Sequence, residues 1–157
     1  MLEIRRLTPD QWPVWRRVRL RALENAPAAF GASLADWTGS GDAEERWRGR
    51  LTDVDANYVA YVDGEPSGQV SGARTVQPDR VELISMWVAP EARGLGISSA
   101  LIDAVEGWAI ELGAESLALS VKLDNAPAIS LYRRHGFERT VTPVADGEFE
   151  MVKRLGG

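Results

Sequence analysis

The run Val88-Ala89-Pro90-Glu91-Ala92-Arg93-Gly94-Leu95-Gly96-Ile97-Ser98 decides how this chain is read. It reads as a strand that runs out through a proline, turns on an arginine and two glycines, and opens a long helix. The apolar residues of that helix (Ile97, Leu101, Ala104, Val105, Trp108, Leu112) recur at helical period, and Gly113 stops it. A chain builds an anion cradle this way. Glycine lets the backbone approach a ligand closely, and the first amides of a helix have no intrahelical acceptor and point outward. The helix dipole favours negative charge at the same place, and Arg93 adds a full positive charge. A pyrophosphate suits this arrangement. Many strand-to-helix turns use glycine for geometry alone, so the ligand needs support from the rest of the chain.

Two familiar phosphate cradles fit poorly. A P-loop ends in Gly-Lys-Ser/Thr, for the phosphate-binding lysine and the magnesium hydroxyl, whereas this run ends Gly96-Ile97-Ser98-Ser99. A dinucleotide fingerprint wants a third glycine where Ser99 stands, near the start of a βαβ unit, and this segment follows several strands. A third pattern fits better. Arg93-Gly94-Leu95-Gly96-Ile97-Ser98 resembles the R/Q-x-x-G-x-G/A signature of the GNAT superfamily, the acetyl-CoA-dependent N-acetyltransferases. Upstream, Met86-Trp87-Val88-Ala89-Pro90 is similar to that family's central strand ending in V-x-P. Downstream, Asn125 to Phe137 matches its N-x-x-A-x-x-L-Y-x-x-x-G-F pattern at every named position. Ser98 departs from the family's Gly or Ala; it is small enough to fit, so an altered contact is expected rather than lost binding.

The resemblance implies a cosubstrate, acetyl-CoA, and residues to hold it. The backbone of Val88, Arg93, Gly94, Leu95, Gly96, Ile97 and Ser98 would hold pantetheine and pyrophosphate, with Met86, Trp87 and Ser99 beside them. Asn125 would touch the pantetheine arm or fix its loop. Tyr132 would protonate the departing coenzyme A sulfur; an ordinary tyrosine pKa of about 10 lies near that of an alkyl thiol. A tyrosine that merely packs there is the alternative. Glu82 is the candidate base, since similar enzymes use a glutamate on this strand, often through an ordered water. By period two, Glu82, Ile84, Met86 and Val88 share one face. The oxyanion would meet the amide of Trp87 or Val88. His135 reads as a surface or helix-end residue.

Composition bounds the rest. At 157 residues, with 45% apolar and 26% charged residues, the chain reads as one soluble globular domain, 1–157. There is no cysteine, so a thiolate metal site or a cysteine nucleophile is excluded, and one histidine makes no cluster; no metal is expected. No apolar run is long enough to span a bilayer, and Met1-Leu2-Glu3-Ile4-Arg5 has no secretory core, which gives a cytoplasmic location by default and no membrane partner. A net charge of −5 argues against nucleic acid as a partner. The arginines between Arg5 and Arg21 alternate with Trp12, Trp15, Val18, Leu20 and Leu23, as on an amphipathic helix with a solvated basic face.

The order of elements reads as α/β. Leu2 to Leu7 is a strand, a helix runs from Thr8-Pro9-Asp10 to about Glu24, Ala28 to Leu34 forms a helical turn, and Glu44 to Leu51 is helical. Tyr58–Val62, the turn Asp63-Gly64 and Pro66–Arg74 form a hairpin. Val81–Val88, Leu117–Val121, Phe137–Thr142 and Phe149–Leu155 are strands, with helices from Gly94 and over Ala126–Arg134. The resemblance implies a single-domain GNAT-like fold: a mixed, mostly antiparallel central sheet flanked by helices, whose central strands splay to admit the pantetheine arm.

The expected activity is acetyl transfer to a primary amine, a small molecule or a peptide, by direct attack in a ternary complex. Phe30, Trp37 and Trp87 are candidate acceptor-binding residues, since an aromatic wall beside a carboxylate suits a cationic amine. The resemblance implies that the first helices and the hairpin of the last two strands wall the acceptor pocket, and these also offer Trp47 and Glu148. Three alternatives stay open: an enzyme acting on protein N-termini or lysines, a coenzyme A-binding regulatory module without turnover, and a nucleotide-binding oxidoreductase. A homodimer is common in such folds, though no residue here marks its interface.

Overall fold

The computed structural model describes residues 1–25 and 34–156. In chain order they form β1 (Leu2–Arg6), α1 (Trp12–Asn25), α2 (Glu44–Asp53), β2 (Ala56–Val62), β3 (Glu65–Arg74) and β4 (Arg80–Val88). Then follow α3 (Ile97–Glu111), β5 (Ser116–Lys122), α4 (Ala126–Arg134), β6 (Glu138–Arg139) and β7 (Glu148–Arg154). The local chemistry explains the boundaries. Thr8 and Gln11 form a capping box, in which Gln11 Oε1 accepts from the Thr8 amide at 2.8 Å, and a 3-10 turn leads into α1. Asp63 and Gly64 both take positive φ, 50° and 86°, as a tight hairpin turn between right-twisted strands requires.

The strands make one seven-stranded sheet in the order β1-β2-β3-β4-β5-β7-β6. Every neighbouring pair is antiparallel except β4 and β5, which are parallel and meet only at Arg80–Glu82 against Ser116–Ala118. Past Glu82 the two strands part. The edge of β4 that faces β5 then has no ladder partner, and amides along it are open to a ligand.

Each face of the sheet has its own cover. Gly68 and Gly72 of β3 lie under α3: a Cβ on Gly72 would stand 2.5 Å from Trp108 Cζ3, and one on Gly68 3.3 Å from Ile97 Cγ2. The missing side chains let α3 seat its apolar stripe, including the buried Leu101, Ile102 and Val105, directly on the strands. Gln69 and Ser71 point the other way, toward α1 and α2, where Trp15 and Trp47 are fully buried.

A bulge in β4 overturns the period-two expectation for that strand. Gln69 pairs with Trp87 but Ser71 pairs with Ile84, so Ser85 and Met86 together oppose Val70. Ser85 takes φ 60°, and its carbonyl accepts from Gln69 Nε2 at 2.8 Å. An extra residue resets the alternation. Glu82, Ile84 and Trp87 therefore share the α1/α2 face, while Val88 turns with Val81 and Leu83 toward α3.

Other differences are smaller. The strand expected over Phe137–Thr142 pairs only at Glu138–Arg139, with one more backbone bond from the Thr140 amide to the Glu150 carbonyl at 2.9 Å. The helix expected from Gly94 starts at Ile97, because Gly94 and Gly96 take positive φ. The turn expected over Ala28–Leu34 lies outside the described residues except for Leu34, which opens a 3-10 turn ending at Trp37.

Candidate active site

The cradle is built as its residue types demand. Gly94 and Gly96 sit at φ 84° and 77°, and a Cβ at either would meet nothing within 4 Å, so their open sides face free space. Gly96 is the N-cap of α3, and among the described residues no side chain caps the helix. The first backbone bond of the helix runs from the Ala100 amide to the Gly96 carbonyl at 3.1 Å, which leaves the amides of Ile97, Ser98 and Ser99 without a backbone acceptor among the described residues. Arg93 Nε donates to the Val88 carbonyl at 3.3 Å and ties the turn to the end of β4.

The cradle opens into a cavity of about 640 Å³ between the parted ends of β4 and β5. Met86, Trp87 and Val88 line it from β4. Arg93, Gly94, Gly96, Ile97, Ser98 and Ser99 line it from the turn and α3, and Asn125 and Tyr132 from α4. Leu95 does not: its side chain is 57% exposed and borders a second cleft with Val18, Arg21, Ser67 and Trp87. The Trp87 ring thus stands between two recesses. Pro127, Ala128, Leu131 and Arg134 also line the first cavity. Sequence reasoning missed them, although Ala128, Leu131, Tyr132 and His135 fall at helical period and mark one face of α4. The lining holds two arginines and no carboxylate, with apolar side chains between the cradle and Tyr132. It fits a ligand with a diphosphate at one end and a largely apolar arm.

Tyr132 is 6% exposed and packs edge-on against Phe137, ring centroids 5.8 Å apart. Burial pushes its hydroxyl up to about 12, so the expectation of an ordinary tyrosine near 10 does not hold. Asn125 caps α4, its Oδ1 accepting from the Ala128 amide at 3.3 Å. His135 does more than end a helix. Its Nε2 lies 2.9 Å from Ser99 Oγ and its Nδ1 3.8 Å from Asp103, so it braces α4 against the first turn of α3.

Glu82 is exposed at the point where β4 and β5 part, beside Ala73 and Ala118, and does not line the cavity. It stands on the same face as Trp87, about 13 Å away along the strand. Trp37 is not brought to the cavity either: it stacks on Trp47 at 4.5 Å, with the Arg46 guanidinium 4.0 Å from its ring. Phe30 lies outside the described residues. Half-buried Glu148 lies 3.9 Å from Lys122.

A polar cluster missed by sequence reasoning occupies the α1/α2 face beside the bulge. Arg50 of α2 donates to Asn57 Oδ1 at 2.7 Å, Ser71 Oγ at 3.2 Å and Ser85 Oγ at 3.3 Å, with its guanidinium 5.0 Å from the Trp15 ring. All three acceptors are neutral. Burial, then the charge of nearby Arg19, lowers the Arg50 guanidinium to about 10, still cationic at neutral pH. No helix among the described residues is long and apolar enough to cross a membrane, and no three His, Asp or Glu side chains gather to hold a metal.

The profile of the Acetyltransferase (GNAT) family matches residues 9–137. An L-2,4-diaminobutyric acid acetyltransferase of Nocardia farcinica is 29% identical over 162 residues, covering 88% of this chain and 84% of that protein. An uncharacterized N-acetyltransferase of Methanocaldococcus jannaschii is 33% identical over 108 residues, 66% of this chain. The matched region spans 47% of that archaeal protein, and only 38% of a mycothiol acetyltransferase of Pseudarthrobacter chlorophenolicus. Among solved structures, the PaiA N-acetyltransferase of Thermoplasma acidophilum, in complex with coenzyme A, superposes with a TM-score of 0.78 at 19% identity, over 98% of this chain and 99% of that one. With the family profile running from the entry to α1 through the Gly136-Phe137 end of the second motif, the chain belongs to the GNAT acetyltransferase family.

Proposed function

We propose that the chain transfers the acetyl group of acetyl-CoA to the primary amine of a small molecule, by direct attack in a ternary complex. The observation that carries this reading is the single cavity shared by an uncapped, glycine-lined helix start and the buried Tyr132. The amides of Gly94 to Ser99, with Arg93 and Arg134, would take the diphosphate of the cosubstrate, and the parted edge of β4 its pantetheine amides. The thioester carbonyl would then lie at the Trp87–Val88 end of β4, where an open amide stabilises the oxyanion. Acetyl-CoA supplies the activated acyl group. Tyr132 donates a hydrogen bond to the departing thiolate. Glu82 is the candidate base, but at about 13 Å from Trp87 along the strand it would take the amine proton only through a chain of several waters. Relatives that act on small amines support the acceptor class, among them the diaminobutyric acid enzyme and the L-amino acid N-acetyltransferase AaaT of Escherichia coli, 30% identical over 104 residues. Thiol release from acetyl-CoA against a panel of amines, peptides and polyamines tests the proposal. Small amines are expected to turn over. Acetyl-CoA binding with no turnover on any amine would replace it with a coenzyme A-binding regulatory module.

A further inference from the structure

Among the described residues, three polar side-chain atoms on the α1/α2 side of β3 and β4 are buried without a hydrogen-bond partner: Trp15 Nε1, Gln69 Oε1 and Trp87 Nε1. Their residues are 0%, 0% and 5% exposed. Gln69 and Trp87 are direct cross-strand partners, so their side chains stand next to each other on this face. Turning the Gln69 amide over does not help, because its Nε2 is already committed to the Ser85 carbonyl at 2.8 Å. Buried polar groups in folded proteins are nearly always paired, so a cluster of orphans calls for a partner, which is either a ligand or internal water.

What the place lacks follows from what it offers. Two indole N–H groups can only donate. Arg50 lies alongside, 5.0 Å from the Trp15 ring, and three of its N–H groups are spent on neutral oxygens. No carboxylate among the described residues forms an ion pair with it. Among the described residues, donors and positive charge here exceed acceptors, and the one orphan acceptor is Gln69 Oε1. A carboxylate answers the donors, and an N–H on the same molecule answers Gln69. The position matters as much as the chemistry. Arg50 reaches Ser85, the residue before the cavity-lining Met86, so an anion held there lies beside the site where the thioester would sit.

We propose that Arg50, with the indole N–H groups of Trp87 and Trp15, recognises a carboxylate on the acceptor, so that the acceptor is an amino-acid-type amine. This rests on the acyltransferase reading and narrows it. Amines without a carboxylate leave the guanidinium and the indoles unanswered, and a site built to hydrogen-bond a group rejects analogues that lack it.

The test compares amino acids of varied side chain with their own carboxamides and decarboxylated amines, reading thiol release from acetyl-CoA. The acid is expected to exceed its amide and amine in kcat/KM by about 10²-fold or more for the best side chain. Arg50→Gln should shrink that ratio by about tenfold, mainly through the KM of the acid, with the KM of acetyl-CoA unchanged. Trp87→Phe and Trp15→Phe keep the rings and remove only the N–H, so they test the site should the arginine variant fail to fold. Each should narrow the ratio. Acetylation of amides and amines as well as of acids would overturn the inference and leave the acyltransferase reading standing. A preference for acids that survives all three substitutions would also overturn it, and would mean that internal water satisfies these groups. No acetylation of any class would overturn the acyltransferase reading and this inference with it.

Discussion

Replacing Tyr132 by Phe isolates one oxygen atom at the proposed leaving-group position. The ring stays, and with it the edge-on contact to Phe137 at 5.8 Å, so the fold is expected to hold. The size of the kinetic effect follows from burial. Held near 12 rather than 10, the hydroxyl is a poorer proton donor than a free tyrosine by about 3 kcal/mol, at 1.36 kcal/mol per pKa unit. Full transfer to a thiolate of ordinary basicity therefore runs uphill. The hydroxyl instead stabilises charge on sulfur through a hydrogen bond while keeping its proton. Losing one such donor from a dry site costs about 10²-fold in rate, the lower end for preorganised donors. Thiol release from acetyl-CoA at saturating amine should fall by about 10² in Tyr132→Phe, with the KM for acetyl-CoA within about threefold. The sign of the pH effect is also fixed. A raised pKa keeps the donor form populated, so between pH 6 and 10 the wild-type rate should show no alkaline fall that belongs to Tyr132. Wild-type turnover within about threefold of the variant would refute the reasoning, as would an alkaline limb near pH 9 that the substitution removes.

Three further outcomes are expected. Glu82→Gln should lower kcat at neutral pH by about tenfold and recover as pH rises and the amine arrives already neutral; a rate unchanged at every pH would remove Glu82 from the mechanism. Gly96→Val forces a β-branched residue into φ 77° at the start of α3 and should raise the KM for acetyl-CoA by about tenfold or more; unaltered affinity by calorimetry would move the diphosphate elsewhere. Arg16, then the Trp47 indole, holds the Asp42 carboxyl down to about 2 against an ordinary 3.8. Its contribution to stability is present above pH 3.8 and lost as pH falls through 2. The deficit of Asp42→Asn in denaturant unfolding should therefore be full at pH 6, mostly gone near pH 2 and absent below it; a deficit constant with pH would show that the charge is irrelevant.

How much of this was legible in the chain depends on what kind of signal each feature leaves. The cradle and α4 were readable because local rules write them: glycine where φ is positive, proline and asparagine where a helix begins, apolar residues at helical period. The parting of β4 from β5 left no local mark and came only from the family resemblance. The bulge is the instructive failure. Met86 and Val88 look like ordinary alternation, and Ser85 carries none of the glycine that usually announces a positive φ. What sustains Ser85 is non-local: Gln69 from the neighbouring strand bonds its carbonyl, and Arg50, thirty-five positions away, bonds its hydroxyl. No window along the sequence contains all three residues. The same separation hid the polar cluster: Arg50 in α2 and Gln69 in β3 carry no local signal, and Trp87 in β4 reads as a cosubstrate and acceptor contact with nothing along the chain to tie it to either of them. The bulge turns Trp87 onto the face of Glu82 and Arg50 and leaves Val88 beneath α3. One extra residue thus sets which side chains the acceptor would meet, and specificity in this chain hangs on the feature its sequence announces least.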